Sequence, residues 1–116
     1  MGTVTVKVAG LDEAKRRLRN AFKGKSQGAQ ISFVTPELLF AVMTRKRWDL
    51  LKAIVGAGPL TIREVARRAN RDVKAVHGDV HALLTAGILR KTENRRIEFP
   101  FDALKLEAEL KPQAAA

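Results

Sequence analysis

The chain has 116 residues, and its 22 Lys and Arg against 12 Asp and Glu give a formal net charge of +10. Hydrophobic residues make up 46% and charged residues 29%, the balance of a folded domain and not of a disordered tail. With no cysteine, disulfides and thiolate metal sites are excluded, and no apolar run approaches the roughly 20 residues that a membrane span needs.

So basic a domain repels itself unless its usual company is anionic. Nucleic acid is the first candidate and an acidic protein the second. A membrane surface is third, because no basic segment carries the aromatic anchors of an interfacial helix. The opening M-G-T-V-T-V-K-V-A-G lacks the charged start and apolar stretch of a signal peptide. A cytoplasmic protein without a membrane role is therefore expected.

In chain order, T-V-T-V-K-V (3–8) alternates and puts Val4, Val6 and Val8 on one face of a strand. A basic amphipathic helix is predicted from about Asp12 to Lys23. Its inner stripe is Leu11, Ala14, Leu18, Ala21 and Phe22, with Arg16, Arg17 and Arg19 off it. Residues 24–30 read as a loop, and 31–34 as a second short strand.

Thr35-Pro36 is an N-cap followed by proline at the first helical position. A longer helix follows in R-K-R-W-D-L-L-K-A-I-V, with Trp48, Leu51 and Val55 on one face, flanked by Leu50 and Ile54. Gly56, Gly58 and Pro59 end it. Thr61-Ile62-Arg63-Glu64 is a capping box, opening a short helix expected to bury Ile62, Val65, Ala66 and Ala69.

Asn70-Arg71-Asp72 is a tight polar turn, with Asp72 placed to cap a helix from Val73 to about Ala86 that Gly87 stops. At about 100° per residue, Val73, Val76, Val80, Leu83 and Leu84 form its core stripe. Lys74, Gly78, His81 and Thr85 lie largely opposite, with Ala75 and Ala82 beside them and His77 at the border. Residues 88–92 and 96–99 flank Glu93-Asn94-Arg95, the pattern of a hairpin with a basic tip. In the tail, composition favours a helix, while Leu104, Leu106, Ala108 and Leu110 alternate like a strand. The apolar face of Val4, Val6 and Val8 tilts the choice toward a strand. Residues 112–116 are expected to fray.

Helix, short capped helix, tight turn, longer helix and basic hairpin form the order of a winged helix-turn-helix. The expected class is α+β. Residues 35–101 form the winged helix-turn-helix, 1–34 a strand–helix–strand extension serving as dimer or partner surface, and 102–116 a tail strand or helix.

The stretch P-L-T-I-R-E-V-A-R-R-A-N-R-D-V-K-A-V-H-G-D-V-H-A-L-L-T-A-G-I-L (59–89) resembles the core of MarR/ArsR-type winged-helix regulators. With R-W-D-L-L and the T-P-E start, it is closest to small archaeal and bacterial regulators associated with toxin–antitoxin pairs. The resemblance covers about residues 31 to 110. It implies a DNA-binding transcription regulator, with an antitoxin-like protein that neutralises a toxin partner as the alternative. A non-specific chromatin or RNA binder is the further alternative. In the resembling regulators the position of Gly78 often carries arginine, so this chain departs from them at the usual reader of guanine.

The candidate DNA-binding residues fall in three groups. Thr61, Arg63 and Arg71 lie in and after the short helix, where Arg67 and Arg68 add charge. Lys74, Ala75, His77, Gly78 and His81 lie on the following helix. Arg90, Lys91, Arg95 and Arg96 lie on the hairpin. A homodimer is expected, because one such module makes few contacts with duplex DNA.

His77 and His81, the chain's two histidines, have the i, i+4 spacing of a metal pair. Gly78 stands where a zinc protease needs glutamate, no third histidine exists, and Asp79 is expected about 160° away around the helix. No metal and no cofactor are therefore expected. Neither histidine has a serine or carboxylate partner at catalytic spacing, and no phosphate-loop pattern is present, so no enzyme is expected.

Overall fold

The structure, a computed structural model, describes residues 2–22, 28–110 and 112. Most of the expected loop at 24–30 and of the expected frayed tail lies outside the described residues. The elements are β1 (Thr3–Val8), α1 (Leu11–Phe22), β2 (Ala29–Phe33), α2 (Pro36–Val42) and α3 (Arg45–Ile54), then α4 (Ile62–Ala69), α5 (Val73–Thr85), β3 (Arg90–Lys91), β4 (Ile97–Glu98) and β5 (Ala103–Glu107). The domain is a mixed α+β fold with two sheets among the described residues. No described helix is long and apolar enough to cross a membrane.

The first sheet has the order β2-β1-β5, and both ladders are parallel. The N-terminal strand is thus central and the tail is a strand. Val4 pairs with Ala29 on one side and Leu104 on the other, and Val6 pairs with Ile31 and Leu106. Partners in register share a face, so these residues build one apolar surface. Val4 and Val6 are fully buried in the same core cluster as Leu39, Leu50, Val76 and Ile97. The chain ends meet where Asp102 N donates to Gly2 O at 2.8 Å and Gly2 N donates to Asp102 Oδ2 at 3.0 Å.

α1 does not seal its stripe. Leu11 and Leu18 stand 66% and 60% exposed, against the inward placement that the periodicity predicts. The burial expected of Ala14, Ala21 and Phe22 lies outside the described side chains. A physical cause is visible in β1. Thr3, Thr5 and Lys7 alternate with the valines, so the sheet face away from the core is polar and offers aliphatic side chains nothing apolar. Lys7 instead holds Glu13 at 2.8 Å.

Caps set the helix boundaries. Thr35 Oγ1 accepts from Leu38 N at 3.2 Å, and Thr44 Oγ1 accepts from Arg47 N at 3.3 Å. Thr61 and Glu64 complete their reciprocal box at 3.2 and 3.1 Å, and Asp72 Oδ2 accepts from Lys74 N at 3.1 Å. Each cap contributes about 1 kcal/mol. Asn70, at φ 55°, ends α4 in the left-handed conformation that asparagine tolerates.

The core is shifted around α3 from the predicted Trp48, Leu51 and Val55 face toward its Leu50 and Ile54 flank. Leu50, Leu51 and Ile54 are buried, Trp48 is half-buried, and Val55 is 45% exposed. α3 packs against α4 and α5, and Trp48 and Val55 line an open apolar pocket with Phe99 and Leu104. In α4, Val65 and Ala66 are buried while Ile62 and Ala69 are only half-buried. In α5, Val76, Val80 and Leu83 are buried, Leu84 is half-buried, and Val73 is 38% exposed beside the Asp72 cap.

A three-way ion contact joins the helices. Arg47 Nε lies 3.0 Å from Asp79 Oδ1, and Arg71 NH1 lies 2.8 Å from Asp79 Oδ2. Arg47 NH1 also donates to Ala41 O at 3.1 Å and Val42 O at 2.9 Å, filling carbonyls left open at the end of α2. Burial raises the Asp79 pKa, but the two guanidiniums outweigh it and hold the carboxyl below its ordinary value.

Removing Asp79 leaves two partly buried cations without their anion. Asp79→Ala is expected to destabilise the fold by about 2–3 kcal/mol at neutral pH, between the values for exposed and buried pairs. Because the folded-state pKa is depressed, this stability is present above about pH 4 and lost as pH falls through the folded value. Denaturant melts of wild type and variant should therefore differ at pH 7 and converge in acid. A gap that does not depend on pH would remove the ion contact from the account.

Candidate nucleic-acid interface

Asp79 is the only acidic residue within α5, and it is turned inward. Lys74, Ala75, His77, Gly78 and His81 are all exposed. The outward face of the helix thus carries a lysine, two histidines and small residues, with no carboxylate.

The hairpin stands beside this face. Arg90 pairs with Glu98 and Lys91 with Ile97 across the ladder, and Ile97 is bridged to Leu60 by hydrogen bonds of 2.8 and 2.7 Å. The root of the hairpin is therefore fixed to the segment that enters α4. At the tip, Thr92 N donates to Arg96 O at 2.8 Å and Arg95 N donates to Thr92 O at 3.1 Å. Arg95 takes φ 60°, a left-handed position that costs an ordinary side chain about 1–2 kcal/mol.

Thr61, His77, His81, Lys91 and Arg95 line one groove between the start of α4, the outer face of α5 and the hairpin. Ile62, Leu84 and Ile97 lie at its base, with Val80 also contributing to its lining. Five of the twelve candidates, from three stretches of sequence, thus line one groove, while Arg63, Arg71, Lys74, Ala75, Gly78, Arg90 and Arg96 are not part of its lining.

Their charges are not equally available. Arg90 Nε lies 2.6 Å from Glu98, Arg96 NH1 lies 3.3 Å from Glu64, and Arg71 is held by Asp79. Arg71, expected on a phosphate backbone, instead has its guanidinium committed inside the molecule. Arg63, Lys74, Lys91 and Arg95 have no acidic partner among the described residues. Glu64 is drawn below its ordinary pKa chiefly by the hydrogen bond from Thr61 N, then by the Thr61 hydroxyl, with Arg96 and Arg67 adding to the effect. Through Arg96, the capping box of α4 is thus tied to the hairpin.

The pairing of two participants is barely signalled in the sequence. Arg47 and Asp79 are 32 residues apart, and no spacing rule connects them. A weak hint exists, since a basic residue in the first turn of α3 opposes the helix dipole and so calls for another partner. Among the described residues no three histidine, aspartate or glutamate side chains gather to hold a metal ion.

Over residues 42–106 the chain matches the model of the HVO_A0114 family, and it belongs to that family. No match is found among curated proteins or among solved structures. The matched region runs from the end of α2 almost to the end of β5, so it contains the whole groove and the Asp79 contact.

Gly78 is the exposed helix position for which packing gives no reason. A Cβ added there would meet no heavy atom within 4 Å. Glycine inside a helix is about 1 kcal/mol less favourable than alanine. Gly78→Ala should therefore raise stability by about that amount in a denaturant melt. A destabilised variant would mean that the helix needs the missing side chain for its own fold.

Proposed function

We propose that this protein is a DNA-binding transcription regulator of the winged helix-turn-helix kind. In this reading α4 and α5 are the helix-turn-helix and the β3–β4 hairpin is the wing. α5 enters the major groove through Lys74, Gly78 and His81, and Lys91 and Arg95 meet the adjacent phosphates or minor groove. The observation that carries it is the single groove in which His77, His81, Lys91 and Arg95 converge, beside a helix face that has no carboxylate. The absent side chain at Gly78 lets the helix backbone approach the duplex, although without an arginine there base reading is modest. The resemblance of residues 59–89 to winged-helix regulators supports the same assignment, and a cytoplasmic location follows from it.

Two copies would bind half-sites about one helical turn apart. The exposed Leu11 and Leu18 on α1 favour a surface for a second chain. The same two residues support the alternative of an antitoxin-like module that neutralises a toxin, with DNA binding autoregulatory.

Salt dependence separates these readings. A duplex binder loses affinity with a log–log slope of about −0.9 per phosphate contact, whereas binding led by a protein surface responds weakly. Lys91→Ala and Arg95→Ala should each reduce the slope by about one, as measured by fluorescence anisotropy on the protein's own upstream DNA. Arg71→Ala should lower thermal stability and leave the slope nearly unchanged. Gly78→Ala should weaken duplex binding while stabilising the fold. Unchanged slopes for both hairpin variants would remove the groove from the DNA contact.

A further inference from the structure

β5 is an outer strand of the first sheet, paired with β1 on one side and with no described strand on the other. An edge strand turns a row of backbone N–H and C=O groups outward, ready to pair with another chain. The row Ile31, Val6 and Leu106 shows what the open edge leaves undone. Val6, in the middle, is fully buried, whereas Leu106 at the edge is 39% exposed. Proline is one device that blocks such edges, and none interrupts residues 101–111. The exposed chain runs on past β5 through Ala108, Glu109 and Leu110.

The side chains decide what can pair there. Lys105 and Glu107 lie on the polar face of the sheet, 65% and 44% exposed, and hold each other at 3.0 Å. They flank Leu106 symmetrically. An antiparallel copy of β5 centred on Leu106 therefore sets Lys105 opposite the second copy's Glu107, and Glu107 opposite its Lys105. On the apolar face Leu106 meets its own copy and Leu104 meets Ala108. Unlike charges directly opposite each other stabilise a strand pair, and like charges destabilise it. Sliding the register by two residues in either direction puts Lys105 or Glu107 opposite itself. Sliding it by one sets apolar side chains against polar ones. One register is thus favoured over its neighbours. α1 shows no such match, since beyond Asp12 and Glu13 its exposed charges Lys15, Arg16 and Arg19 share one sign.

We infer that β5 is the surface on which a second copy of this chain docks. The two strands pair antiparallel about a two-fold axis at Leu106, and the two sheets become one of six strands. In the duplex-binding reading this contact joins the two copies and leaves α1 for a different chain. The pairing itself stands without DNA.

The full-length protein is followed by sedimentation velocity without DNA, from about 1 to about 500 µM. An edge contact of this size is weak, so the monomer–dimer midpoint is expected at about 1–100 µM. Lys105→Glu and Glu107→Lys each set two like-charge pairs across the axis and should weaken self-association about tenfold or more. Mixed in equal amounts, these two variants restore both unlike pairs and should dimerise like the wild type. The double variant Lys105→Glu/Glu107→Lys should dimerise with itself but not with wild type, a second test should a single variant misfold. A wild type that stays monomeric throughout the range overturns the proposal. So does self-association that the single variants leave unchanged, or a mixture that does not recover it. Dimer loss in Leu11→Glu or Leu18→Glu, with the charge variants unaffected, assigns the second copy to α1 and overturns it too. Failure here leaves the duplex reading to its own salt test.

Discussion

The contact of Asp79 with Arg47 and Arg71 fixes how α5 is rolled on the rest of the molecule. A helix packed only by aliphatic side chains can rotate by some degrees with little loss, because dispersion contacts are non-directional. A carboxylate held from two sides at 3.0 and 2.8 Å tolerates much less. At 100° per residue, Lys74, His77 and His81 fall about 140–160° around the helix from Asp79. Turning that aspartate inward therefore turns those three outward. Arg47 extends the constraint to the end of α2 through the carbonyls of Ala41 and Val42.

The same contact shapes the electrostatics. A net charge of +10 need not produce a basic surface on any chosen side. Here most of the acidic residues near the groove are drawn into structural tasks, the exposed Glu93 of the hairpin turn excepted. Glu64 and Asp72 cap helices, Asp79 joins α5 to α3 and the α4–α5 turn, and Glu98 holds Arg90. Lys74, Lys91 and Arg95 are left without such partners and project from one side. The basic character of this side therefore comes from the way the fold uses its carboxylates, more than from the overall count of cations.

Local chemistry made much of this legible in advance. Thr35, the Thr61/Glu64 box and Asp72 mark helix starts because each has a short polar side chain beside an unsatisfied N–H. The alternation of Leu104 and Leu106 tips the tail toward a strand, which pairs with β1 as its valine face implies. The periodicity of α5 separates Val76, Val80 and Leu83 from Lys74 and His81. What stayed hidden depends on partners distant in sequence. Periodicity shows that Leu11 and Leu18 share a face but not that the neighbouring sheet surface is polar. Spacing within α3 cannot decide whether Val55 or Leu50 meets the core. For the candidate site, the capped turn and the basic hairpin are readable, but the capture of Arg71 by Asp79 is not.

The N-terminal segment accordingly has two different relations to the domain. β1 is central in its sheet, and Val4 and Val6 are fully buried beside residues from α2, α3 and α5. Its ladder to β5 joins opposite ends of the chain, so loss of β1 would expose the core and leave the tail strand unpaired. α1 is another matter, since its described aliphatic side chains contribute nothing to that core and its recorded tie to β1 is the Lys7–Glu13 pair. That pair is partly exposed, and such a pair contributes little to folding. Leu11 and Leu18 thus stay outside the core that the described residues build, exposed on one face of α1.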